Sequence, residues 1–215
     1  YDLIDQAKAA VERACPGVVS CADIIAIATR DAVVLSKGTN YIVQTCRRDG
    51  LVSQARNVNL PGPSISVSSS IYFFASKGFT TKDMVTLIGG GHTVGVTHCS
   101  FFQDRLFNFR NTGRPDPSME ANLDNKLRGR CPRGSPVDNI INLDQTLASS
   151  LAVDNGYYRQ IRAIRGILEI DQAMAFHPST SAFVSSLENS GQTFQTQFGA
   201  AMIKMGALQV LTGRN

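Results

Sequence analysis

The chain holds 215 residues, 43% of them hydrophobic, with a formal net charge of +4 and no tryptophan. That length can bury one sizeable core. The basic residues are scattered rather than gathered into the aromatic-interleaved stripe of a nucleic-acid footprint, and no apolar run reaches the length of a membrane-spanning helix.

Residues 2–15 read as an amphipathic helix, with Leu3, Ile4, Ala7, Val11 and Cys15 on one face, stopped by Pro16-Gly17. Ser20-Cys-Ala-Asp23 resembles a capping box and opens a second helix that ends at Gly38. Its apolar face is wide, with Ile24, Ile25, Ile27, Val33 and Val34, as expected of a central buried helix. Residues 39–63 look irregular, with a short strand expected at Tyr41-Ile42-Val43 and a turn with an internal ion pair at Arg47-Arg48-Asp49-Gly50. Asn59-Leu60-Pro61-Gly62-Pro63 is a proline-stiffened loop. Helix resumes at 65–76, and Thr80-Thr81-Lys82-Asp83 caps another that runs into Gly89-Gly90-Gly91-His92.

Those three glycines leave room for a flat or bulky ligand to approach the backbone, and His92 is expected to open a further helix through Phe109. A loop at 111–117, a short helix at 118–128 and a long loop at 132–153 follow. Helices are then expected from about Asp154, at 179–188 and at 192–205. About nine helical segments with almost no alternating pattern indicate an all-α fold, and no domain boundary is evident.

No leader pattern opens the chain, so any signal peptide is expected to be already missing. The sequence carries no Asn-x-Ser/Thr acceptor and no internal repeat. Its five cysteines, Cys15, Cys21, Cys46, Cys99 and Cys131, lack Cys-x-x-Cys spacing. An odd count at long spacing fits a secreted, disulfide-bonded protein with at least one thiol left over. Only three histidines are present, His92, His98 and His177, and none has a second histidine four residues away, so a helical zinc motif is absent.

Matching motifs run nearly end to end. They include Ala14-Cys-Pro-Gly-Val-Val-Ser-Cys-Ala-Asp23, Arg47-Arg-Asp-Gly50, Asn59-Leu-Pro61 and Asp83-Met-Val-Thr-Leu87. They continue with Gly90-Gly-His-Thr-Val-Gly95, Asp104-Arg-Leu-Phe-Asn-Phe109, Asp154-Asn-Gly-Tyr-Tyr158 and Asp171-Gln172. In order and spacing the set resembles the class III secretory plant peroxidases, the horseradish-peroxidase family. The resemblance implies a single haem-peroxidase domain over residues 1–215, covering roughly the later two-thirds of the family fold. It implies haem b and calcium as cofactors, hydrogen peroxide and phenolic donors as substrates, and a role in the response to oxidative stress. The protein would be a monomer, secreted to the cell wall, extracellular space or vacuole, without nucleic-acid or membrane partners.

By the same resemblance His92 is the axial ligand of haem iron and Asp171 accepts the hydrogen bond that orients it. His98 is a candidate contact for a haem propionate, and Pro61 belongs to the donor-access site. Thr93, Asp144 and Asp154 are calcium ligands, with Thr146 and Ser149 as alternatives for a hydroxyl between them; Ser149 keeps the family spacing to Asp154. Cys99 and Cys131 match a family disulfide, and Cys15 and Cys21 match cysteines whose partners lie outside the chain. Cys46 stands where the family usually has glycine. The family's distal histidine and arginine, which act on peroxide, belong to a motif before Tyr1. A truncated or degenerate protein that binds haem, calcium or a partner without catalysis is therefore the rival expectation.

Overall fold

The computed structural model describes residues 1–213. Its helices in chain order begin with α1 (Asp2–Ala14), α2 (Cys21–Leu35), α3 (Val67–Ser76) and α4 (Thr81–His92). Strand β1 (Val96–His98), α5 (Gln103–Phe107), α6 (Ala121–Arg130) and strand β2 (Ile140–Asn142) follow. The chain continues through α7 (Gly156–Arg162), α8 (Glu169–Phe176), α9 (Ser181–Asn189) and α10 (Gly191–Gly206). The protein is mostly helical, with one small sheet in which β1 and β2 run antiparallel and Thr97 faces Ile141. No described helix is long and apolar enough to cross a membrane.

Two compact units divide the chain: Tyr1–Leu60 with residues from Gly199 onward, and Pro61–Phe198. In the first unit, Ser20 caps α2 by accepting from Asp23 N at 3.0 Å. The expected ion pair inside Arg47-Arg48-Asp49-Gly50 does not form. Asp49 instead accepts from Cys21 N and Ala22 N at 2.8 and 2.9 Å, because the free N–H groups of a helix N-terminus favour an anion. Arg47 turns to the buried Asp23 at 2.9 Å. Tyr41-Ile42-Val43 forms no strand, and Arg48 makes an isolated bridge to Leu211.

The second unit gathers α3, α4, α7, α8 and α9 around Met84, Val85, Tyr157, Tyr158, Ile161, Met174, Val184 and Phe194, all essentially sealed from solvent. Helix α4 begins with a full capping box between Thr80 and Asp83. His92 closes this helix rather than opening the next one. After it, Val94, Val96 and Thr97 are β-branched and favour extended backbone, while Gly95 takes φ +113°. Its carbonyl accepts from Leu143 N, so the chain enters the β1–β2 ladder instead of the long helix expected over 93–109. The Cys99–Cys131 disulfide joins the segment after β1 to the end of α6, across 32 residues. Closing a loop of that size stabilises by roughly 3–4 kcal/mol on the chain-entropy account.

The triple glycine has a different use from the one expected. A Cβ on Gly89 would stand 2.6 Å from the Tyr158 ring, and one on Gly90 would collide with Phe198. Both positions are emptied for aromatic packing against α4. Gly91 alone faces open space. Gly89→Ala and Gly90→Ala should each cost about 1–3 kcal/mol through overpacking. Gly91→Ala should be neutral or stabilising by up to about 1 kcal/mol, and thermal or urea unfolding of the three variants checks the contrast.

Candidate functional site

Helices α4, α7 and α8 each bring one side chain to a shared point in the second unit. His92 sits on the last residue of α4, Asp171 in the first turn of α8 and Tyr157 in the first turn of α7. Asp171 is fully buried and its two oxygens lie 3.0 and 3.1 Å from His92 Nδ1. The Tyr157 hydroxyl donates to Asp171 Oδ2 at 2.6 Å. A buried carboxylate is tolerable only when hydrogen-bonded, and these two donors meet that need. With Nδ1 committed to Asp171, Nε2 is the ring nitrogen with no protein partner among the described residues. The imidazole side chain remains 30% exposed.

The link between α7 and α8 is held as firmly. Gln172 donates to Ile161 O at 2.8 Å and accepts from Gly166 N at 2.9 Å. Arg105, 1% exposed, donates to the carbonyls of Gly166 and Ile167 at 2.8 and 2.7 Å and pairs with Asp116. Ile164 takes φ +53° within this link, strain that a β-branched residue accepts only where surrounding bonds fix the chain.

His92 lines a cleft of about 320 Å³ whose walls are mostly apolar, including Pro61, Phe74, Ile88, Phe101, Leu143 and Ile170. That is within the range of small-molecule sites. Phe101 is 53% exposed and Val96 48%, so large apolar surface stands uncovered at the rim. Ser70 Oγ, on the cleft wall, is buried without a hydrogen-bond partner among the described residues. A planar apolar group with a metal for Nε2 fits this donor and these walls.

Pro61 lines the same cleft. His98 does not; it is half exposed at the end of β1, with Nδ1 3.1 Å from the Asp138 carbonyl. His177 caps its own turn by accepting from Ser179 N.

The other predicted residues are linked in separate contacts, on Thr93 and along the segment 144–156. The Thr93 hydroxyl donates to Ala152 O at 3.2 Å, and both residues are buried. Ser149 Oγ donates to Asp144 Oδ2 at 2.6 Å. Asp154 Oδ1 accepts from Gly156 N at 2.6 Å. A Cβ on Gly156 would stand 2.9 Å from Asp154 Oδ1 and 3.1 Å from Ser149 Oγ, so both oxygens face the same glycine. Thr146 turns away, its hydroxyl receiving Gln160 Nε2 at 2.7 Å. Among the described residues no three His, Cys, Asp or Glu side chains form a metal cluster. This group has two carboxylates, with hydroxyl and carbonyl oxygens as its other donors. That hard-oxygen set suits Ca²⁺ rather than a transition metal.

Sequence reasoning missed Tyr157, Gln172 and Arg105 as members of the site. All three lie inside the motifs quoted above, but their spacing carries no sign of what they touch.

The family model described as peroxidase matches residues 1–190. Peroxidase 44 of Arabidopsis thaliana is 51% identical over 215 residues, all of this chain and 66% of that protein. Peroxidase 57 and Peroxidase 60 of the same plant are 48% and 47% identical, with 66% and 64% of their lengths covered. The chain belongs to the peroxidase family, and it spans just under two thirds of the length of these relatives.

Burial acts to lower the His92 pKa, but the Asp171 charge and hydrogen bond outweigh it and hold the pKa above 6.5. A raised folded-state value means that protonation stabilises the fold. In the ligand-free chain this stability is full below pH 6.5 and is lost as pH rises through the folded-state pKa. Histidine NMR titration should show His92 titrating above 6.5, and Asp171→Asn should bring it below the wild-type value.

Proposed function

We propose that the protein is a secreted haem peroxidase, its chain part of a single haem-peroxidase domain, that uses hydrogen peroxide to oxidise phenolic donors in one-electron steps. The observation that carries this reading is the buried Asp171–His92 pair, with Nε2 left for a metal at the wall of an apolar cleft. When bound, haem b supplies the redox-active iron through which peroxide is reduced and phenols are oxidised. His92 would ligate that iron through Nε2. Asp171 holds the proton on Nδ1, fixes the tautomer and makes the imidazole a stronger donor. Pro61, Phe74, Phe101 and Ile170 would exclude water from the histidine face. Pro61 would offer an apolar edge to an aromatic donor. His98, at the surface beside Asp138, remains a candidate propionate contact.

Thr93, Ser149, Asp144 and Asp154, with the Ala152 carbonyl, would hold calcium. Because Thr93 follows His92 directly, the ion would anchor the end of α4. The Cys99–Cys131 bridge supports an oxidising destination.

His92→Ala should abolish tight haem retention, read as loss of the Soret band at matched protein concentration. Full haem content in that variant would overturn the assignment. Chelating calcium should lower the melting temperature. In calcium titration calorimetry, Ser149→Ala should weaken binding about tenfold or more, while Thr146→Ala should leave the affinity unchanged.

A further inference from the structure

The Tyr157 hydroxyl is the shortest hydrogen bond Asp171 makes, and the proposed peroxidase reaction leaves it without a role. We infer that Tyr157 is a positioning residue that moderates how strongly Asp171 pulls on the His92 Nδ1 proton, and so how electron-rich His92 Nε2 becomes. This inference rests on the reading of His92 as the haem ligand.

Asp171 has no Lys or Arg partner among the described residues and is sealed from water, so its charge is shared between Tyr157 and His92. An O–H···O⁻ contact of 2.6 Å lies in the range of strong charge-assisted bonds. It draws electron density from Oδ2, the oxygen 3.1 Å from His92 Nδ1, and leaves Oδ1, at 3.0 Å, as the principal acceptor. The same bond fixes the carboxylate plane. Tyr157 also meets the imidazole edge-on, with ring centroids 6.3 Å apart and planes at 87°, so its hydroxyl and ring constrain both members of the pair. Two donors on one carboxylate compete for its electron density, and in a buried site each such bond counts for more than in water.

Tyr157→Phe keeps the ring and deletes only the hydroxyl. Asp171 then bonds His92 alone, and the Nδ1–H bond strengthens. In the haem-loaded protein the ferrous iron–histidine stretching band should move to higher frequency and the ferric/ferrous midpoint potential should fall. In the ligand-free chain the His92 Nδ1 proton should shift downfield by NMR. Replacing Tyr157 with 3-fluorotyrosine, a stronger donor of nearly the same shape, should move each signal the opposite way, and it serves where the phenylalanine variant fails to fold. In an Asp171→Asn background, Tyr157→Phe should add no further shift. Unchanged signals, or an upfield shift with a weaker iron–histidine band in Tyr157→Phe, would overturn the inference. A wild-type protein without an iron–histidine band would instead defeat the haem reading, while the ligand-free NMR comparison would still decide whether Tyr157 controls the pair.

Discussion

The second unit is organised by one buried charge. Asp171 is removed from solvent with no strong cation beside it, a placement that costs several kcal/mol unless its oxygens find donors. Both donors come from other helices, His92 on α4 and Tyr157 on α7. The carboxylate therefore ties the three helices together at one point. Any rotation of α4 that moved His92 off Asp171 would leave a half-satisfied carboxylate in the core.

The surrounding packing serves that alignment. Tyr158, next to Tyr157, lies against Gly89, and its hydroxyl reaches the carbonyls of Val85 and Thr86 at 3.1 and 3.3 Å. Consecutive tyrosines on α7 thus point to two levels of α4, one to the helix backbone and one, through Asp171, to its terminal histidine. On the far side, Gln172 and Arg105 fasten the turn that aims the first residues of α8. Bonds from separate segments converge on this point, an arrangement that would suit the fixed ligand sphere of the proposed haem iron.

Much of this was legible from residue order, but in different ways. The capping signals at Ser20 and Thr80 are local, and both caps form where the pattern places them. The helix after His92 was misread because apolar residues such as Phe101, Phe102 and Leu106 recur at helical spacing. The β-branched run and Gly95 before them break the backbone first. The glycines before His92 suggested room for a ligand, yet at Gly89 and Gly90 that room is filled by Tyr158 and Phe198, residues far away in the chain. Likewise Asp49 pairs with the start of α2 and not with its arginine neighbours. Tertiary partners decide such positions, and no local window contains them. The family motif marked His92 and Asp171, while Tyr157 passed unnoticed because a buried tyrosine looks the same in sequence whether it packs or donates.

Thr93 gives the end of α4 a second attachment. His92 is held at Nδ1 by a carboxylate from α8, and the next residue is held by the Ala152 carbonyl in the loop before α7. These attachments approach the end of α4 from different segments. The calcium site proposed at Thr93, Ser149, Asp144 and Asp154 would add to the attachment between that loop and Thr93. Tyr157 lies just after Asp154 in the same stretch of chain. The residue that bonds the Asp171 carboxylate and a carboxylate of the ion site are thus three positions apart. The chain from 144 to 157 is thus connected to His92 twice: by the Ala152 carbonyl at Thr93, and by the hydrogen bond from Tyr157 to Asp171.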